Sequence, residues 1–446
     1  MLFRRKAYDE LLRWKKESAG KYALLIEGAR RVGKTTVVEE FAKNEYKSFI
    51  LIDFSKIREE TMLAFKNGIS DMDLFFTRMQ MAEGIKLYPK ESLIVFDEVQ
   101  LYPPARQMIK HLVKDGRYDY IETGSLISIK KNVKNILIPS EELRYEMYPM
   151  DFEEFLWACG DEITISFLKE HFEKRAPLGN DLHRIVMNRY REYMMVGGMP
   201  SVVSAYLESK DIDKMELAKR SIINLYKDDM EKIPTSMNTK VSRIFDMIPS
   251  FLSEHMKQFK PGKIEHDSRT RDYVDSIHWL KDAKIVNLCY GCDDPSSLMC
   301  LNISDTSFKC YMLDTGLLLS ASFPKGSEGL NDAYKAFLFG KLPANTGMLF
   351  ENMVAQELTV RGHELLFLEF KHGDSKRNYE VDFMITNGKK VIPIEVKSGI
   401  SSRHASLDHM ISKYGNRLGE KFVIHSKDLE VKDGITYLPI YMTMFL

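Results

Sequence analysis

Gly28-Ala-Arg-Arg-Val-Gly-Lys-Thr35 follows directly on the apolar run Tyr22-Ala-Leu-Leu-Ile-Glu27 and opens the amphipathic stretch from Thr35 to Lys43. Two glycines separated by four residues and followed by Lys-Thr satisfy the spacing G-x-x-x-x-G-K-[ST]. Gly28 and Gly33 let the backbone curl so that successive N–H groups converge on an anion, and the helix behind them adds its positive dipole end. Gly28, Ala29, Arg30, Arg31, Val32, Gly33, Lys34, Thr35 and Thr36 therefore form a candidate phosphate cradle. Lys34 is placed to reach the outer phosphates and the Thr35 hydroxyl to hold Mg²⁺.

Outward from this loop, Phe49–Asp53, Leu93–Phe96 and Tyr118–Thr123 are further short apolar runs, with amphipathic stretches such as Arg106 to Lys114 between them. Such runs suit strands buried on both faces of a parallel sheet, as a βαβ architecture requires. A fifth strand is expected at Arg144–Tyr148, ended by Pro149. Leu93-Ile-Val-Phe-Asp97-Glu98 ends in two acids, which places them at the C-terminal edge of a buried strand. Asp97 is suited to hold Mg²⁺ through water, and Glu98 to orient and deprotonate an attacking water. Thr123 is the candidate polar sensor of the last phosphate, with Ser125 the weaker one, and Arg144 the candidate charge-neutralising arginine.

Composition narrows the class. A chain of 446 residues suggests roughly three domains at about 150 residues each. Lys+Arg 64 balances Asp+Glu 64, so any nucleic-acid contact must come from a local basic patch. The N-terminus, with Arg4, Arg5, Lys6 and Glu10, is too charged for a signal peptide, and no apolar run reaches the length of a membrane span. Five cysteines are too few for a disulfide framework. A soluble cytoplasmic protein without a membrane partner is expected.

From Asp151 to about Thr235 the pattern is helical, interrupted by Val196-Gly-Gly-Met-Pro200, and Ile233–Asn238 reads as a linker. Lys240 to Phe323 reads as three short helices and two strands, Lys284–Tyr290 and Phe308–Leu313. A helix from about Leu349 to Arg361 then precedes strands around Leu365, Glu380, Val391 and Phe422.

Several of these stretches together resemble the prokaryotic AAA-type ATPases that join a P-loop domain to a winged helix and a nuclease-like C-terminal domain. The matching segments are Ile26–Thr36, Phe96–Gln100, Thr123–Ser125, Tyr148–Phe155, Val196–Pro200, Tyr311–Leu317, Phe350–Val354 and Ile394–Ser398. Leu143-Arg144 departs from the Gly-Arg usual in that family. The resemblance implies a multidomain α/β chain: an AAA-type ATPase domain at 1–150 with a parallel sheet, a helical lid at 151–235, a winged helix at 236–325 and a PD-(D/E)xK-like α/β domain at 326–446. It implies ATP and Mg as cofactors, DNA as a partner through the winged helix, and a possible protein partner or oligomer. Between Lys240 and Ile285 nine basic residues face seven acidic ones, the surplus of an ordinary solvated surface. Arg269, Arg271 and Lys281 are expected on the third winged-helix helix, the one that would enter a groove.

Two further clusters carry chemistry. Glu351, Asp382 and the alternating pair Glu395 and Lys397 have the order of a PD-(D/E)xK nuclease site. There the carboxylates hold a metal and the lysine sits near the nucleophile. Cys289, Cys292, Cys300 and Cys310 are enough thiolates for zinc, but their spacing is unusual and a packing role is favoured. Three functions remain open: an ATPase that rearranges its domains, a nucleotide-gated nuclease, and a nucleotide-sensing binding module with negligible turnover. Glu98 favours the first over the third.

Overall fold

Runs such as Leu93-Ile-Val-Phe96 have no polar face to offer water, so they are stable only with helices covering both sides of their sheet. The computed structural model, which describes residues 1–67, 71–125, 139–254, 257–296, 298–324, 329–341, 346–371, 378–399 and 403–446, shows this arrangement. The chain forms two units, Met1–Tyr148 with Asp282–Lys284, and Pro149–Lys281 with Ile285–Leu446.

The first unit holds strands β1 (Ala23–Glu27), β2 (Ser48–Asp53), β3 (Ser92–Asp97), β4 (Asp119–Gly124) and β5 (Glu142–Glu146) in the order β2-β3-β4-β1-β5, all parallel. Helices α1 (Lys6–Glu17), α2 (Lys34–Glu45), α3 (Glu59–Asn67), α4 (Met72–Glu83) and α5 (Pro103–Asp115) complete it. Phe54, Phe65, Phe75, Phe96, Ile94 and Leu112 belong to one core packed on the sheet. The fifth strand lies two residues earlier than the sequence suggests. Glu142, Arg144 and Glu146 are polar, Arg144 exposed on an edge strand and Glu142 buried against Arg106, so hydrophobicity does not mark β5.

The second unit begins with helices α6 (Phe152–Ala158), α7 (Thr164–Glu173), α8 (Asn180–Val196), α9 (Pro200–Ser209) and α10 (Ile212–Glu231). The linker expected at 233–238 is instead the start of α11, Thr235–Leu252, with Pro234 at its cap. A proline at a helix start loses no hydrogen bond, so the Pro and polar residues there do not break the chain into a linker. Arg269 and Arg271 do not lie on a helix proper: Thr270–Tyr273 is a 3₁₀ turn, where the Asp272 carboxylate accepts the Arg269 N–H, and α12 begins only at Val274 and runs to Asp282. Of the three basic residues only Lys281 is on that helix.

Strands β6 (Val286–Cys292) and β7 (Ile303–Met312) form the antiparallel pair expected there. They are not a separate wing: β6 also pairs, in parallel, with β8 (Leu366–Lys371). With β9 (Asn378–Asn387), β10 (Lys390–Val396), β11 (Phe422–His425), β12 (Glu430–Lys432) and β13 (Ile435–Pro439), they build one eight-stranded sheet in the order β12-β13-β11-β10-β9-β8-β6-β7. Helices α13 (Thr315–Ala321), α14 (Leu330–Leu338), α15 (Thr346–Val360) and α16 (Ala405–Tyr414) complete the unit.

The Val196–Pro200 loop interlocks with the Asp314-Thr-Gly316 turn. The buried Asp314 carboxylate accepts the Gly198 N–H at 2.6 Å and the Leu317 N–H at 2.8 Å. Glycine is required here for space, since a Cβ on Gly198 would stand 2.0 Å from the Met150 carbonyl oxygen. Backbone cannot yield as a side-chain tip can. Gly198→Ala should therefore destabilise the protein by about 2–3 kcal/mol, read as a lowered midpoint in thermal or urea unfolding.

Candidate functional site

The strand order puts β4 between β1 and β3, so the loop after β1, the end of β4 and the end of β3 stand in a row at the carboxyl edge of the sheet. Ligands bind at that edge in open parallel sheets. Arg31 and Gly33 both take left-handed backbone conformations, at φ 70° and 98°. The α2 helix starts immediately after Gly33. Gly28 is needed for close approach, because a Cβ there would lie 2.2 Å from the Met147 carbonyl oxygen. Lys34 is buried, and its ammonium donates to the carbonyls of Gly28 at 3.0 Å and Ala29 at 2.9 Å. Burial pulls its pKa down to about 8, against the opposing pull of Glu98 and Asp97.

Asp97 ends β3 and is buried. One of its oxygens, Oδ1, accepts hydrogen bonds from the Thr35 hydroxyl at 2.8 Å and from the Thr123 hydroxyl. Burial raises the Asp97 pKa, and the bonds from Thr123 and Thr35 offset this only in part. Lys34, Thr35, Asp97 and Thr123 thus come together from three different strand ends. Glu98 follows in a left-handed conformation, φ 53°, uncommon for a residue with a side chain. Its carboxylate accepts hydrogen bonds from Gln100 Nε2 and, at 3.3 Å, from the Ser125 hydroxyl. Gln100 and the supporting role of Ser125 were not legible beforehand.

Arg144 is not part of this cluster. It lies mid-strand, level with Leu25, and its Nε donates to Glu142 Oε1 at 3.2 Å. Glu142 in turn takes a two-pronged pair from Arg106 at 2.8 and 2.9 Å, and both of these side chains are buried. Behind them Glu122 is fully buried and its pKa is raised well above the ordinary value, first by burial and then by Glu142. Arg144 is therefore tied to a buried carboxylate network inside the sheet.

In the second unit, Glu351 on α15, Asp382 on β9 and Glu395 and Lys397 at the end of β10 do converge. Lys397 donates to Glu395 at 2.6 Å, and Asp382 accepts the Val396 N–H at 2.8 Å. Burial pushes Glu395 up to about 8, with Asp382 adding to the effect and Lys397 opposing it. Glu351 is raised by burial and by Asp382. Four residues absent from the sequence argument share the cluster: Lys257, which ion-pairs Glu351; Tyr311, whose hydroxyl donates to Glu351 at 3.2 Å; Lys309; and Glu380. Lys309 is wholly buried on β7, 2.7 Å from Glu380 and 4.0 Å from Asp382. Its β7 position, two residues from Tyr311 on the same face, is the signal that register alone would have supplied.

Among the described residues no three His, Cys, Asp or Glu side chains are placed to hold a metal ion. Cys289, Cys292 and Cys310 are buried, and burial pushes the Cys310 thiol up to about 12, the reverse of what zinc ligation needs. The side chain of Cys300 lies outside those described. No helix among the described residues is long and apolar enough to cross a membrane.

Residues 20–156 match the AAA domain, residues 187–328 a domain of unknown function (DUF8612) and residues 346–443 another (DUF4143). An uncharacterized protein of Haemophilus influenzae is 20% identical over 405 residues, spanning 88% of this chain and 85% of its own. The Walker-type ATPase paby2304 of Pyrococcus abyssi aligns with 16% identity and a TM-score of 0.44, over 72% of this chain and 96% of that one. The Aeropyrum pernix ORC1 protein, solved in complex with DNA, aligns with 12% identity and a TM-score of 0.28, over 72% of this chain and 93% of that one. Residues 20–156, which carry the P-loop and the five-stranded parallel sheet, thus match the AAA domain, and residues 346–443 match DUF4143.

Proposed function

We propose that this chain binds ATP together with Mg²⁺ at the loop Gly28–Thr36 and hydrolyses it. The observation that carries the reading is the shared Asp97 Oδ1, held by the Thr35 and Thr123 hydroxyls beside the buried Lys34. Hydroxyl and carboxylate are hard oxygen donors that suit Mg²⁺, which is bound typically through one or two such groups plus substrate phosphates. Thr35 and Asp97 are the residues that would hold it. Bound there, the ion would neutralise phosphate charge.

The chain's own residues do the rest. Lys34 exchanges the Gly28 and Ala29 carbonyls for the outer phosphates, and the loop N–H groups orient them. Glu98, kept in place by Gln100 and Ser125, takes the proton of the attacking water. Thr123 reports on the last phosphate through its bond to Asp97. Hydrolysis requires a free carboxylate at 98, so Glu98→Gln should keep ATP binding while turnover falls by roughly 10²–10⁴-fold. Calorimetric titration and phosphate release measured on the same preparation check both halves.

The ionisation of Lys34 adds a pH dependence. In the free site the ammonium loses its proton above about pH 8, and only the protonated form compensates phosphate. Binding above that pH must recruit a proton. ATP affinity should therefore be level below pH 8 and fall by up to about tenfold per pH unit above it. Titrations from pH 6.5 to 9.5 would show a flat profile if Lys34 were not the phosphate ligand.

A second reading, a metal-dependent nuclease in the C-terminal region, is favoured by one observation. Glu395 Oε2 is buried without a hydrogen-bond partner beside Asp382 and Glu351, and a divalent cation would relieve it. Lys257 would have to release Glu351 for the metal to enter. On this reading Glu351, Asp382 and Glu395, which are not placed to hold an ion as they stand, would draw together around it, Lys397 would sit by the nucleophile, and DNA would be met partly through the segment 236–325 and Lys281. Mn²⁺ should then raise the melting temperature of the full chain, and Asp382→Asn should abolish that rise without affecting ATP binding. A melting temperature indifferent to Mn²⁺ would remove the nuclease reading.

A further inference from the structure

Arg5 precedes α1 and belongs to none of the motifs above, yet its side chain is buried. Its Nη1 donates to the carbonyl of Val32, inside the phosphate loop, at 2.7 Å. Its Nη2 donates to the carbonyl of Tyr148, just beyond β5, at 2.8 Å. One planar guanidinium thus bridges two backbone segments more than a hundred residues apart.

The consequence follows from peptide geometry. The Val32–Gly33 bond is trans, so its C=O and N–H point in opposite directions. With the Val32 carbonyl turned onto Arg5, the Gly33 N–H is turned the opposite way, which leaves it free of Arg5 for the phosphate that a loop of this kind would receive. The other end of the loop rests on the same support: Gly28 packs against the Met147 carbonyl, and the Met147 N–H donates to Glu27. Met147 therefore fixes the start of the loop, and Tyr148, through Arg5, fixes its end.

We propose that Arg5 is a positioning residue for nucleotide binding, which holds the Val32–Gly33 peptide in its phosphate-facing orientation and ties that orientation to the segment leaving β5. The inference rests on the ATP-binding reading given above. Lysine keeps the charge but is shorter and lacks the rigid planar fork that fixes the direction of both carbonyls at once. Arginine-to-lysine is not conservative at such a site.

The test uses the full-length chain and ATP, with each titration run well below the variant's melting temperature. Arg5→Lys should melt within a few degrees of wild type without nucleotide and bind ATP about tenfold more weakly. KM should follow the affinity while kcat at saturation falls by less than about threefold, since the reacting groups Glu98 and Asp97 are untouched. Arg5→Ala should weaken ATP further; if it fails to fold, Arg5→Lys decides alone. Wild-type affinity in Arg5→Lys would overturn the proposal, as would a loss confined to kcat. Lys34→Ala serves as the control. If wild type binds ATP, Lys34→Ala does not and the Arg5 variants bind normally, only the role of Arg5 falls. If wild type itself does not bind ATP, the nucleotide reading falls and the role of Arg5 with it.

Discussion

A carboxylate at the end of a buried strand must be compensated, because desolvating a charge costs more than any neutral packing can return. Asp97 meets that demand with two hydroxyls, Thr35 from the helix after β1 and Thr123 from β4, both on the same oxygen. That bond pattern needs β4 inserted between β1 and β3, and therefore the order β2-β3-β4-β1-β5. It also needs α2 to begin within one residue of Gly33, so that Thr35 faces the strand ends. The left-handed turns at Arg31 and Gly33 and the glycine at 28 are the local conditions for this helix start. The site is thus one electrostatic requirement met by the topology of the sheet.

The second unit answers a comparable demand with a different network. Asp314 is buried and satisfied by backbone N–H groups of Gly198 and Leu317. Next to it Asn352 accepts from the Met312 N–H and donates to the Met312 carbonyl and the Thr315 hydroxyl, while Gln356 accepts from Thr315 and donates to Tyr193. Buried polar groups that are all satisfied specify one arrangement, because any other leaves one unpaired. The segments Val196–Pro200, Tyr311–Leu317 and Phe350–Val354 are therefore in part a packing joint. They link α8, the turn after β7 and α15 into a single body.

Much of the first site was legible, since Gly28, Gly33, Lys34, Thr35, Asp97 and Thr123 lie where a strand-loop-helix reading puts them. Motifs of this kind are local: a few consecutive residues dictate backbone shape and side-chain chemistry together. What stayed hidden is long-range. Arg144 looked like a free arginine because nothing in sequence reveals that Glu142, Arg106 and Glu122 form a buried network. Arg5 and Lys309 escaped notice because their partners lie far along the chain, at Val32 and Tyr148 and at Glu380. That the β6–β7 pair continues into a larger sheet was hidden for the same reason. Strand identity follows from local pattern, but the pairing of β6 with β8 depends on residues seventy positions away.

The two acidic sites differ in how their charge is compensated, and this difference bears on function. Asp97 is held by neutral hydroxyls, which stabilise its negative charge without cancelling it. An added cation is therefore attracted to full charge at low dielectric, where each such interaction is strongest. In the C-terminal cluster Lys257, Lys309 and Lys397 already stand against Glu351, Glu380 and Glu395. A cation arriving there must compete with ammonium groups, one of them wholly buried, whose displacement would leave a charge unpaired. A metal arriving with a substrate would meet an uncancelled charge at the first site. The second keeps most of its counter-charge on the chain, and the unpartnered oxygens of Glu395 and Glu380 leave it open to another positive group. On the ATPase reading the energy-converting chemistry would belong to the P-loop, while in the C-terminal sheet the buried Lys309 ties β7 to β9 through Glu380 and Asp382.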